Sequence, residues 1–206
     1  MKKFIIALCI IAAVFTLTAC SDNDFTAEPK QEKLEERVVS QGDFFTVTEI
    51  TDDEAVVKYQ YEVTGKDGTL LESALCAQQP VVARISDSLI GVRFSADKHI
   101  FVRYYDIDKN VVSRSFRDSF WDNGNLVATR AYDNGHYFTV QDIFDENGYK
   151  SVTGIECNSW QITVIAAKVS DDGKQLFVEY IPGDGSDLSF ARSTVTLPLV
   201  EAAAKP

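Results

Sequence analysis

The chain is short of the residues from which most catalytic and metal sites are built. It holds two histidines, four cysteines, one methionine and two tryptophans in 206 residues. No CxxC pair or paired-histidine spacing is present, so the usual zinc arrangements have no ligands. No GxSxG nucleophile elbow, glycine-rich phosphate loop or dinucleotide fingerprint occurs, and the expected cofactor is none. Basic residues are also scarce, 20 Lys plus Arg against 31 Asp plus Glu, a formal charge of −11. That balance excludes nucleic acid as a partner, because phosphate binding needs a basic surface. A long uncharged run occurs once, over residues 4–19.

That run follows Lys2 and Lys3 and ends at Leu17-Thr18-Ala19-Cys20. It is too short for a comfortable spanning helix, which needs about 20 apolar residues, and it fits the apolar segment of a secretory signal. Leu17-Thr18-Ala19-Cys20 resembles the lipobox of bacterial lipoproteins. The resemblance implies cleavage before Cys20, acylation of that cysteine, and a mature protein tethered to the membrane through its acyl chains. Two or more chains anchor a protein stably where one does not. Cleavage removes Lys2 and Lys3 but no acid, moving the formal charge from −11 to −13. An anionic membrane surface then repels the domain, and the lipid holds it in place. Ser21 resembles the residue after the lipid site in lipoproteins passed to the outer membrane. Ser21-Asp22-Asn23-Asp24 is similar to the acidic export tag of Bacteroides surface lipoproteins, and reads equally as a solvated linker. The expected address is the bacterial envelope, at the outer membrane, on its periplasmic or surface face.

The expected divisions are a signal peptide over 1–19, a lipid-anchored acidic linker over 20–41, one all-β domain over 42–200 and a tail over 201–206. A short helix over 30–39 is compatible with Gln31, Glu32, Lys33 and Leu34. From Gly42 onward Val, Ile, Thr, Phe and Tyr recur at period two, the pattern of half-buried strands. In 55–63, Val57, Tyr59, Tyr61 and Val63 alternate with Lys58, Gln60 and Glu62. In 160–168, Trp160, Ile162, Val164 and Ala166 fall on one face. The prediction is an all-β fold of about ten to twelve strands, an antiparallel, hairpin-rich meander forming a sandwich or a partly closed barrel after an N-terminal signal helix and linker.

Five pairs punctuate it: Asp67-Gly68, Asn123-Gly124, Asn134-Gly135, Asn147-Gly148 and Asp172-Gly173. Such pairs tolerate the positive φ of tight hairpin turns. They place consecutive strands at 125–133 and 136–146. The aromatic-Asp-Asn-Gly settings over 120–148 are similar to the tyrosine-aspartate and MORN-like β repeats of bacterial surface proteins, with no function carried over. Asp106-Ile107-Asp108-Lys109-Asn110 begins like a calcium loop. Val111 and Arg117 stand where the EF-hand needs Gly and Glu, so a polar hairpin turn is expected. Calcium at Asp184-Gly185-Ser186-Asp187 has equally little behind it.

Cys76 and Cys157 remain after Cys9 and Cys20 are assigned to the signal and the lipid. In an exported protein the pair suggests a disulfide, closing a loop worth on the order of 4 kcal/mol. Two free, buried thiols are the other reading. His99 opens a strand and His136 follows a turn, where a solvated strand residue is the simplest account. Phe120 and Trp121 precede a turn. Their rings either contact a sugar or protein partner or fold under the neighbouring hairpin. Arg84, Arg93, Arg103, Arg114 and Arg130 lie within strands, set for cross-strand pairing with acids or for an anionic ligand. The function expected is that of an exported, lipid-anchored envelope protein whose β domain has a non-enzymatic binding or structural role, with an envelope protein or glycan as partner. A lipocalin-like carrier of a small apolar ligand is the alternative. A surface carbohydrate-active enzyme is a third reading and needs two carboxylates about 5–10 Å apart.

Overall fold

The computed structural model describes residues 34–199, except 53, 54, 56, 133, 134, 158, 160 and 184–190. The expected signal helix, Cys20, Trp160, the Asp184–Asp187 run and the tail lie outside the described residues.

Sixteen strands and no helix occupy the described residues, in four antiparallel sheets whose strand order follows the chain. The first holds β1 (Glu35–Gly42), β2 (Phe45–Thr51), β3 (Val57–Thr64) and β4 (Leu70–Cys76). The second holds β5 (Val81–Arg84), β6 (Leu89–Ala96), β7 (His99–Asp106), β8 (Val111–Val112) and β9 (Phe116–Arg117), the last two sharing one edge of β7. The third holds β10 (Ser119–Asp122), β11 (Leu126–Tyr132), β12 (His136–Asp142) and β13 (Lys150–Ile155). The fourth holds β14 (Ile162–Val169), β15 (Gln175–Pro182) and β16 (Ser193–Pro198). None of these sheets closes into a barrel. The fold is all-β and sandwich-like.

Three apolar cores join the sheets in chain order. Val47, Tyr61 and Val63 of the first sheet meet Ile90, Val92 and Tyr105 of the second. Leu89, Val102, Tyr104 and Phe116 meet Val127 and Ile143. Leu126, Ala128, Phe138 and Val140 meet Ile162, Leu176, Val178 and Leu197. Each such side chain contributes about 1.5–3 kcal/mol when fully buried. The second and third sheets are therefore covered on both faces. This is why Leu89-Ile90-Gly91-Val92 and Leu126-Val127-Ala128-Thr129 are unbroken buried runs where a half-exposed strand would alternate.

Four expectations change, the first being the strand count, sixteen among the described residues rather than ten to twelve. β1 starts at Glu35, inside the segment read as linker, and residues 35–39 are strand rather than helix. Val39 packs into the first core and Arg37 bonds Glu49 of β2 at 2.9 Å, so tertiary pairing overrides helix propensity. Ala166 does not share a face with Ile162 and Val164. The β14 register shifts between Val164 and Ala166, and Ala167 and Val169 return to the core instead. Of the two-residue turns, Asp43-Phe44 and Asp97-Lys98 link paired strands with no glycine at either position. The glycine-bearing pairs sit in longer connections, and Gly148 lacks a positive φ whereas Gly68, Gly124, Gly135 and Gly173 have one.

The expected strands at 125–133 and 136–146 are β11 and β12, paired from Leu126↔Asp142 to Tyr132↔His136. The Asp106–Asn110 segment is a polar hairpin turn. One oxygen of Asp106 accepts the N–H groups of Asp108 and Lys109, and the other accepts Lys109 Nζ at 2.8 Å. This turn interlocks with the β3–β4 turn, where Asn110 Nδ2 donates to Asp67 at 2.8 Å. Gly65 permits the approach, since a Cβ there would lie 1.9 Å from Asn110 Oδ1.

Candidate functional site

An open cleft of about 790 Å³ lies where the second, third and fourth sheets meet. A smaller one of about 220 Å³ adjoins it and shares Asp118, Arg130 and Thr163 with it. The backbone around it is unusual. Five non-glycine residues have positive φ among the described residues, and three of them line this cleft: Asp97 (49°), Lys98 (67°) and Asp118 (51°). Asp tolerates this region because its short carboxylate bonds locally, whereas Lys gains nothing from it. Asp97 and Lys98 form the β6–β7 turn, pairing Ala96 with His99. Both residues at positive φ give the twist that adjacent strands require.

Asp118 is the one residue between β9 and β10, and there the chain leaves the second sheet for the third. Its N–H donates to the Ile100 carbonyl at 2.7 Å and its carbonyl accepts from Arg130 N–H at 3.3 Å. Its carboxylate accepts from Ile100 N–H at 3.4 Å and from His99 Nδ1 at 3.3 Å, with Arg117 Nε 3.8 Å away. Asp118 thus ties β7, β9 and β11 together, and its charge is answered within the protein. Because a carboxylate only accepts, His99 carries its proton on Nδ1 when neutral, leaving Nε2 as the acceptor.

Both histidines of the chain line this cleft. His136 is not the solvated residue expected from its place after a turn. It is buried, its Nε2 donates to the Ser159 carbonyl, and its ring lies 4.8 Å from that of Tyr132. The cause is the segment before β14, which lays Ser159 over the start of β12. Tyr132 itself is exposed.

The arginines expected in strands divide sharply, and Arg114 lies not in a strand but in the connection between β8 and β9. Arg84 pairs with Asp87 at 3.2 Å and Arg103 with Glu72 of the neighbouring sheet. Arg114 donates to Gln141 at 2.7 Å and lies 5.1 Å over the Phe116 ring. Arg93 and Arg130 have no carboxylate partner among the described residues, and both line the smaller cleft. Arg130 Nη1 donates to the Ile162 carbonyl, which fixes the guanidinium beside β14.

Phe120 also lines that cleft, while its ring packs edge-on against Phe138 at 5.1 Å. Trp121 is half-buried against the third core. Cys76 and Cys157 are free thiols in different cores, the first between the first and second sheets and the second between the third and fourth. They form no disulfide here, because the stacking of sheets places them in separate layers. Burial pushes the Cys76 thiol pKa up, with the Glu72 charge adding to it.

The sequence singled out His99, His136, Arg93, Arg130 and Phe120 separately, and the fold brings them to one place. Lys98, Arg117, Asp118, Tyr132 and Thr163 were not legible as site residues, since a single residue between two strands leaves no spacing signal. Comparison with family models, with curated proteins and with solved structures finds no match to this chain.

Proposed function

We propose that this is an exported envelope lipoprotein, anchored through acyl chains on Cys20, whose β domain binds a ligand in the cleft between its second, third and fourth sheets. The pattern Lys2, Lys3, the uncharged run and Leu17-Thr18-Ala19-Cys20 supports the anchor. The observation that carries the binding role is the gathering of both histidines and three positive-φ residues, Lys98 among them, around one open cleft. Strained backbone persists where a position serves something other than stability. The two acids of the larger cleft favour binding over hydrolysis: Asp118 is already occupied by Ile100 N–H, His99 and Arg117, and Asp97 forms the turn. An interior carrier of apolar ligands has less behind it, since the sheets stay open and meet through filled cores.

Two arms test the reading. Metabolic labelling with an alkyne fatty acid should mark the wild type and leave Cys20→Ser unlabelled; equal labelling removes the anchor. The full lipoprotein, in non-ionic detergent, should melt at a higher temperature with a soluble fraction of its own envelope, by mass action on the native state. The Tyr132→Ala variant should lose that shift. A shift of equal size in both proteins would remove the cleft.

A further inference from the structure

Building on the cleft as the ligand site, we propose that it takes an acidic saccharide, with the oxyanion held by Arg93 and Arg130 and a ring laid against Tyr132. The chain has eight arginines, and Arg37, Arg84, Arg103, Arg117 and Arg192 each sit within 4.0 Å of a carboxylate. Arg114 is accounted for by Gln141 and Phe116. The two that remain, Arg93 and Arg130, line one cleft in a protein where acids outnumber bases by 31 to 20. These are the two arginines without a carboxylate among the described residues, and their place in the lining of one cleft suits them to an anion from outside. Lys98 adds a third cation on the rim, held there by a turn that Asn-Gly would form with less strain.

The one carboxylate shared by both clefts does not oppose this. Asp118 is met by His99 Nδ1 and Arg117, so its charge is answered before a ligand arrives. A guanidinium is planar and carries five donors, which match a carboxylate or sulfate two at a time. The bond from Arg130 Nη1 to Ile162 uses one donor and positions the rest. The organic part of the ligand follows from Tyr132, 61% exposed with its ring 4.8 Å from His136. A flat aromatic face beside an oxyanion site suits the apolar face of a pyranose. A nucleotide would ask instead for a glycine-rich phosphate cradle, which the chain lacks. The larger cleft, about 790 Å³, falls within the span of small-ligand sites, about 300–1,000 Å³.

The test is calorimetric titration of the full lipoprotein in non-ionic detergent with a heparin-derived tetrasaccharide, which carries both carboxylate and sulfate on pyranose rings. Maltotetraose and sodium sulfate are the neutral and ring-free controls. The tetrasaccharide should bind, weaken as salt rises, and bind at least about tenfold less tightly to Arg93→Gln/Arg130→Gln. Tyr132→Ala, an independent variant, should also weaken it. Equal affinity for the double arginine variant, or no binding of the tetrasaccharide, would overturn the proposal. Equally tight binding of maltotetraose or of sulfate alone would do the same. If the tetrasaccharide fails while the envelope fraction still shifts the wild type and not Tyr132→Ala, the acidic saccharide falls and the cleft stands. Failure of both removes both.

Discussion

His99 Nδ1 lies 3.3 Å from Asp118 Oδ2, a contact between the first residue of β7 and the residue where the chain crosses from the second sheet to the third. The bond fixes one ring of the cleft and the crossing together. Two properties of Asp118 are separable by mutation: its acceptor oxygens and its φ of 51°. Asp118→Gly loses only the first, and Asp118→Ala loses both. Urea melts should show the alanine variant about 1 kcal/mol less stable than the glycine variant, the left-handed penalty of a Cβ.

The turn at Asp97-Lys98 holds unused stability. Replacing it with Asn-Gly keeps both residues at positive φ and removes the cost that Lys98 bears there. Chemical denaturation should show a gain of up to about 1 kcal/mol, while saccharide titration shows weaker binding through loss of the Lys98 charge. A variant that gains nothing would mean the turn is already unstrained.

Glu72 joins the first two sheets. It accepts from Arg103 Nη1 and from the Tyr105 hydroxyl, so the Tyr61 hydroxyl donates to Tyr105 at 3.3 Å. Burial pushes the Tyr61 pKa up to about 12, and burial together with Glu72 pushes Tyr105 up as well, keeping both hydroxyls protonated donors. Glu72→Ala leaves Arg103 without its carboxylate, though still bonded to Ser115, and the Tyr105 hydroxyl without its acceptor. With both side chains under a third exposed, the expected loss is about 2–3 kcal/mol. A double-mutant cycle with Arg103→Ala should return a coupling above about 1 kcal/mol.

Asp106 gives the fold an acid-sensitive turn. Burial alone would raise its pKa, but the bonds from Lys109 Nζ and from the Lys109 and Asp108 N–H groups outweigh it, and its carboxyl sits below the usual carboxylate range. A lowered folded-state pKa stabilises the native protein above the unfolded value, and that stabilisation disappears as pH falls through the folded value. Asp106→Asn should therefore cost more at about pH 6 than at about pH 3, in the range of a charge-assisted bond, about 1.5–3 kcal/mol. A cost independent of pH would mean the turn does not depend on the ionised carboxylate.

The two thiols should react at different rates. Denatured protein from non-reducing preparation should give both Cys76 and Cys157 as free thiols by maleimide labelling and mass spectrometry. In the native state the half-buried Cys157 should react first, because Cys76 is enclosed in its core and its thiol pKa is raised. A mass two units lower with no labelling would establish the disulfide.

Much of the fold is written in local sequence. Alternation in Tyr59, Tyr61 and Val63, and glycine pairs such as Asn123-Gly124, mark strands and reversals because side-chain direction and positive φ are local matters. What was hidden is non-local. β1 pairs only because β2 offers an edge, and the bulge at Ile165 appears only once β14 is held against β15. The cleft was hidden for the same reason. Arg93, Lys98, Asp118, Arg130 and His136 come from five elements or joints and share no spacing. The unbroken runs at Leu89–Val92 and Leu126–Thr129 were the one sequence sign of sheets covered on both faces.

The claim that this cleft is the working site is tested most directly by amide hydrogen exchange with mass spectrometry. The protein is compared in the intact cells that produce it and after extraction and washing in non-ionic detergent. The account predicts slower exchange in the cells at 97–100, 117–119, 130–132 and 161–163, and little change on the outer face of the first sheet. Protection confined to that outer face, or no difference at the cleft, would contradict it.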